Sequence, residues 1–369
     1  MQTKAQLPHL GQEYSSQWDN IYPYSEIGRW VTDTTTGALK YKLDPLDSSK
    51  KLDGSPSVLD GTDGDVMVKV PRFGYKVEFN EDGTSNYYIT ANRPNDTGSN
   101  LPEGFKIHPA FRRGDGTFAG YFLYGAFTGH TINTQLRSVA KVLPTGRSKT
   151  IGTLRNEARN GRGLEFGLPH MNMLSALQIL YICEFQNLNS QAMLGLGKTS
   201  TSESSITTGD SLSLGDRSGY VDSGRGGNGK ESAVYRGIED FFGACWDFVD
   251  GVMFSGTSVY ITEKPADFGN TSLSKVITIT KPTAGYITKM NQINEIDNLF
   301  IPSVSGTDNT TYYTDHIDTW SSSLYMAVFG GIWDIGAFAG VFCLDLGYYV
   351  SSAGGRLAGR LCILPKGGN

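Results

Sequence analysis

From Phe329 to Leu364 the chain reads FGGIWDIGAFAGVFCLDLGYYVSSAGGRLAGRLCIL, and no other stretch limits the possible folds as closely. Gly330, Gly331, Gly336, Ala337, Ala339 and Gly340 admit close backbone approach, while Trp333 is a large ring that a folded chain has to bury. Val341 to Leu346 and Leu357 to Leu364 carry the large apolar residues of short strands, and turn residues fill the interval Gly347 to Arg356. The pattern predicts an antiparallel hairpin that closes a β-rich domain.

The rest of the chain reads as support for that hairpin. With 46 Gly in 369 residues, 19% charged and 11% aromatic, the composition fits a loop-rich β or α+β protein rather than a helical bundle. The length allows one large domain with insertions or two to three smaller ones. A net charge of −5 without a basic run argues against nucleic-acid binding, which needs clustered Lys and Arg to neutralise phosphates. Cys183, Cys245, Cys343 and Cys362 lie far apart in apolar settings, so buried thiols are expected, with Cys343 and Cys362 the one pair a C-terminal hairpin would bring face to face. The first residues, MQTKAQLPHLGQEY, hold no apolar leader, and no run approaches the ~18 apolar residues of a membrane span.

Residues 1–65 read as a polar, β-rich lead-in anchored by Trp18 and Trp30. Its LDGSPSVLDGTDGD segment lacks the spacing and final Glu of a calcium loop and reads as solvated turns. A second domain, 66–369, opens with VMVKVPRFGYKVEF, the Asn80 to Gly83 turn and NYYITANRP, a hairpin pattern. GYFLYGAFTG predicts a further strand pair, and Arg137 to Gly167 a long surface connection. A helix is expected over Asn172 to Leu188, with Leu174, Leu177, Tyr181, Phe185 and Leu188 on one stripe and Asn172 as its cap. The polar, low-complexity residues 197–232 read as an exposed insertion, and 253–323, with VYITE and VITIT, as an insertion or β-extension of the same domain.

Two stretches carry a resemblance. GGxWxxGxxAGxFxLxL followed by a loop and a GRL strand, as found in 329–364, resembles the variable region of diversity-generating retroelement proteins, most of which are phage receptor binders. YRGIEDFFGACWDFVDGV, Tyr235 to Val252, resembles the Gly-Asn-Val-Trp-Glu-Trp segment of formylglycine-generating-enzyme folds, with Trp246 at the first Trp, Phe248 replacing the second, Gly243 at the glycine and Asp247 for the acid. The resemblance implies an α+β chain with a C-type lectin-like fold of the formylglycine-generating-enzyme type. It implies a surface of rewritable positions, Ile332, Asp334, Ile335, Phe338, Cys343, Asp345, Gly347, Tyr348, Tyr349, Val350 and Arg356, on a framework of Trp333, Gly336, Gly340 and Phe342. Retroelement rewriting does not produce Lys, Glu, Gln, Met or Trp, and 329–364 contains none of these except the framework Trp333.

Signals for catalysis are weak. His9, His108, His130, His170 and His316 form no metal-ligand spacing, no GxSxG motif occurs, and Glu239 with Asp240 is a carboxylate pair with nothing in sequence to set it across a cleft. No catalytic residue, metal or cofactor is therefore expected. The leading expectation is a phage tail-tip protein, made in the bacterial cytoplasm and carried on the virion. Its partners would be a host cell-surface receptor, protein or glycan, and other tail proteins, in a homotrimer, without nucleic acid or membrane insertion. The alternatives are an invariant tail or decoration protein and an oxidase on the same fold.

Overall fold

The computed structural model describes residues 3–6, 16–94, 101–221, 227–310 and 312–366. The polar N-terminal run over 7–15 and the centre of the 197–232 segment, 222–226, lie outside them. The described chain is α+β and β-rich, with three α-helices. None of these helices is long and apolar enough to cross a membrane.

Two large sheets carry the architecture. One is six-stranded, in the order Phe166–Gly167, Cys362–Ile363, Tyr121–Gly125, Asp65–Pro71, Gly28–Thr32, Leu39–Lys42. The second runs Lys275–Thr278, Ser258–Ile261, Trp246–Ser255, Tyr325–Phe329, Leu344–Tyr349, His316–Asp318, Gly285–Met290, Pro302–Gly306, and Leu357–Ala358 adds a short parallel partner to Trp246–Ser255. The expected hairpin between Phe73–Phe79 and Ser85–Ala91 is present and belongs to a smaller sheet.

The boundary expected near residue 65 falls inside the first sheet, because Gly28–Thr32 pairs along its length with Asp65–Pro71. Asp65 is not a solvated turn residue: it is fully buried and its Oδ1 accepts from Arg137 Nε at 2.7 Å. GYFLYGAFTG gives one strand, Tyr121–Gly125, rather than a pair. Residues 137–167 are not all loop, since Ile151–Arg159 forms helix α1. Thr150 caps it by accepting from the Thr153 amide, and Ile151, Leu154 and Ala158 bury one stripe.

The second helix, α2, spans Met171–Phe185 and is buried on every side. The stripe read from sequence was one part of an entirely enclosed surface, as expected of a helix apolar all round. Asn172 sits inside it and takes a hydrogen bond from Asn298, while His170 occupies the cap position. Two polar side chains tie α2 to its surroundings: Gln178 donates to the Val341 carbonyl, and Glu184 pairs with Arg236 at 2.7 Å. A short third helix, α3, follows over Ser190–Leu194.

The described residues of 197–232 do not stand apart as an exposed insertion. Lys198 is fully buried, with Nζ 3.0 Å from Asp210 and 3.5 Å from Asp240, so this polar stretch is tied into the interior by charge rather than by apolar area. Residues 253–323 supply five strands to the second sheet.

The C-terminal hairpin does not form. Leu344–Tyr349 pairs with Tyr325–Phe329 and, in parallel, with His316–Asp318, whereas Cys362–Ile363 crosses to the first sheet. All four cysteines are free and buried, including Cys343 and Cys362. The cause of the crossing is Arg360, 1% exposed, which donates to Asp247 Oδ2 at 2.8 Å, to the carbonyls of Gly125, Glu239 and Asp240, and to Thr128 Oγ1. The five N–H donors of its guanidinium meet these five acceptors where the chain passes from the second sheet to the first.

Removing one partner of a buried pair leaves the other charge uncompensated. Arg360→Ala is expected to lower unfolding free energy by roughly 3–5 kcal/mol, and Arg356→Ala by no more than about 0.5, in urea melts of the two variants.

Candidate ligand-binding surface

The backbone of the glycine-rich stretch is fixed from outside itself. Trp333 donates its amide to the Ala244 carbonyl at 3.2 Å, its carbonyl accepts from Thr201, and the Gly336 amide reaches the Thr199 carbonyl at 2.9 Å. Gly330 accepts from Gly243 and donates to Cys343. Gly331 has φ +98°, and a Cβ there would come 2.7 Å from the Ala339 Cβ, so both conformation and space require glycine. At Gly340 a Cβ would stand 2.2 Å from Asp315 Oδ1. Asp315, 1% exposed, accepts the Phe342 amide at 2.8 Å, and burial holds its carboxyl well above the usual range.

Trp333 and Phe342 are buried, and Phe342 packs edge-on to Tyr313 and Tyr181. Ile332 and Cys343, expected at the surface, are each 1% exposed and belong to the smaller of two hydrophobic clusters, with Trp246, Phe248 and Met326. Ile332 immediately precedes the Trp333 amide anchored on Ala244, and Cys343 immediately precedes the strand beginning at Leu344; an odd apolar residue in a small-residue run was taken for display when it fills a core. Ile335 is half-buried and packs on both clusters. Asp334, Phe338, Gly347, Tyr349, Val350 and Arg356 are exposed, with Asp345 and Tyr348 half-buried.

These side chains fall into linked groups. Arg356 and Asp334 pair through two hydrogen bonds, the shorter 2.8 Å, and the guanidinium lies 5.6 Å from the Trp333 ring centroid. Arg356 and Trp333, with Glu203, Tyr348 and the rest of the Ser352 to Leu357 loop, line an open groove of about 590 Å³. A register shift between Met326 and Val328 makes three residues of Leu344–Tyr349 match two of its neighbour, which turns Asp345 and Tyr348 to the same face despite their odd spacing. Tyr349 stacks on Tyr325 at 4.7 Å with the hydroxyls 3.2 Å apart. Phe338 stacks on His316 at 4.5 Å and meets Tyr286 edge-on at 5.5 Å.

Tyr286, His316, Tyr325 and Glu203 were not anticipated, because each lies outside the recognisable stretch; sheet pairing brings the first three there, and Glu203 arrives on a short 3-10 turn held by Arg147. Burial lowers the His316 pKa, with Asp318 opposing, so the ring stacks on Phe338 in its neutral form at pH 7. Among the described residues no group of three or more His, Cys, Asp or Glu side chains could hold a metal ion. Burial also pushes the Cys362 thiol up and the Cys343 thiol well up, away from the thiolate form that reacts. The chain matches no model of a known protein family, and no curated protein matches it.

Asp345 supplies a test of this geometry. Burial raises its carboxyl to about 6 against the pull of the Gly347 amide. The folded protein therefore holds this proton more tightly than the unfolded chain, and the resulting stabilisation, full below about pH 4, fades as pH rises through about 6. Asp345→Asn should remove that slope: the stability gap between wild type and variant is expected to shift in the variant's favour from pH 4 to pH 7 in thermal melts.

Proposed function

We propose that this chain is a receptor-binding protein of a phage tail, built on a C-type lectin-like fold of the formylglycine-generating-enzyme type, with its ligand surface in the retroelement-diversified stretch 329–364. The observation that carries the reading is the separation of side chains within that stretch. Asp334, Phe338, Tyr349, Val350 and Arg356 are exposed, while Trp333, Gly340 and Phe342 are buried and their surroundings are fixed by Ala244, Thr201 and Asp315. A surface meant to change needs a backbone that does not depend on it. Ile332 and Cys343 leave the set of displayed positions.

Large exposed aromatic rings at low rotamer cost suit a binding face. Binding is the activity proposed, with a host cell-surface receptor as ligand and other tail proteins, in a homotrimer, as the carrier. The invariant-protein alternative draws on the Asp334–Arg356 and Tyr325–Tyr349 pairs, which use up side chains a diversified face would leave free. The oxidase reading loses support from two buried thiols with raised pKa values.

The neighbouring genome separates the first two: a reverse transcriptase gene and a near-copy of the bases encoding 329–364 are expected, and their absence favours an invariant surface. For binding itself, the double variant Phe338→Ser, Tyr349→Ser is expected to lose adsorption to a panel of bacterial strains while melting within a few degrees of wild type. Trp333→Ala should do the reverse, losing roughly 3–5 kcal/mol of stability. A double variant that adsorbs normally removes this face as the receptor site.

A further inference from the structure

Beside the tip of the 347–356 loop lies a second cavity, of about 170 Å³, lined by Ile151, Val252, Met253, Leu324, Met326 and Val350. A space of about 150 Å³ with such a lining holds a benzene-sized group, so this one takes an isobutyl or similar side chain. Its walls come from α1, the Trp246–Ser255 strand and the loop tip, and Val350 stands at the rim with 42% of its surface exposed. Gly152, Gly251 and Gly269 also line it, leaving backbone free to be approached.

One polar group breaks the apolar lining. Arg155 uses Nε and Nη2 to hold both oxygens of Asp250, at 2.7 and 2.8 Å, and Asp250 is further satisfied by the Gly251 amide. Among the described residues no hydrogen bond engages Nη1 of Arg155, which lies beside Gly269, where an added Cβ would come 3.3 Å from it. Arg159 acts electrostatically on the same carboxylate and on Arg155. His170, which also faces Asp250, is held down to about 4 by burial and is neutral at pH 7.

We infer that this cavity binds a carboxylate on a branched aliphatic stem, the stem in the apolar pocket and the carboxylate on Arg155 Nη1. An isolated aliphatic group would gain nothing from the free donor, and a neutral sugar would waste the apolar walls. A carboxylate on an aliphatic stem uses both.

The test uses the whole chain with 13C-labelled methionine methyl groups, since Met253 and Met326 both line the pocket. N-acetyl-L-leucine is expected to shift both resonances, N-acetyl-L-leucinamide to bind at least about tenfold more weakly, and Val350→Trp, which fills the mouth from an exposed position, to abolish the shifts. The inference is overturned if neither methionine responds, if the amide binds as tightly as the acid, or if Val350→Trp keeps the response. Loss of adsorption in the Phe338, Tyr349 variant is read separately, so a failed receptor assignment and a failed pocket assignment remain distinct.

Discussion

The ion pair between Arg360 and Asp247 is the point at which the two large sheets are joined. Arg360 enters from the segment that links Leu357–Ala358, on the second sheet, to Cys362–Ile363, on the first. Asp247 lies in the strand next to Leu357–Ala358, and Gly125, whose carbonyl also receives Arg360, ends the strand next to Cys362–Ile363. Burying a guanidinium costs far more than a surface pair returns, and only complete satisfaction of its donors offsets that cost. The crossing of the chain between sheets is therefore fixed at one residue, and the strands on either side can be as short as two residues each.

Around that junction the interior uses charge where an ordinary domain would use apolar area. Lys198 with Asp210 and Asp240, and Arg137 with Asp65, draw polar, glycine-rich segments inward and hold them against the sheets. Thr199 and Thr201 then present backbone groups to Gly336 and Trp333. A loop-rich chain gains a rigid surface in this way, because each irregular backbone segment is hydrogen-bonded to another rather than left to water. Asp315 completes the arrangement from below, at a position where only a glycine at 340 leaves it room.

How much of this could be read beforehand follows from the range of the interactions. Local pattern was sufficient for the Phe73–Phe79 hairpin, for α2 and for the burial of Trp333 and Phe342, since alternation, a helix-forming apolar run and a large ring among glycines act over a few residues. Helix α1 was missed: its Arg and Asn content suggested a loop and outweighed the Thr150 cap and the spacing of Ile151, Leu154 and Ala158. The partners of the C-terminal strands were not legible. Apolar alternation marks a strand and says nothing of which neighbour it takes, so two consecutive strands read as a hairpin. Tyr286, His316 and Tyr325 reach the candidate surface through such long-range pairing alone, and Val350 gains its cavity from residues up to two hundred positions away.

The tandem Gly355-Arg356-Leu357 and Gly359-Arg360-Leu361 shows how the same chemistry is assigned opposite roles. Each arginine pairs with an aspartate at 2.8 Å, Arg356 with Asp334 and Arg360 with Asp247. The first pair keeps 51% and 40% of its side chains in water, the second 1% and 7%. In water each charge of a broken pair is rehydrated, and long side chains regain the freedom they gave up to meet, so little is lost. In the interior no solvent replaces the missing partner. Position 356 can therefore change its side chain without disturbing the backbone, while position 360 cannot, although nothing within either triplet distinguishes them. What separates a replaceable residue from a fixed one in this stretch is the dielectric on the far side of the chain, and that is set by Asp247, Gly125 and Glu239, more than a hundred residues upstream.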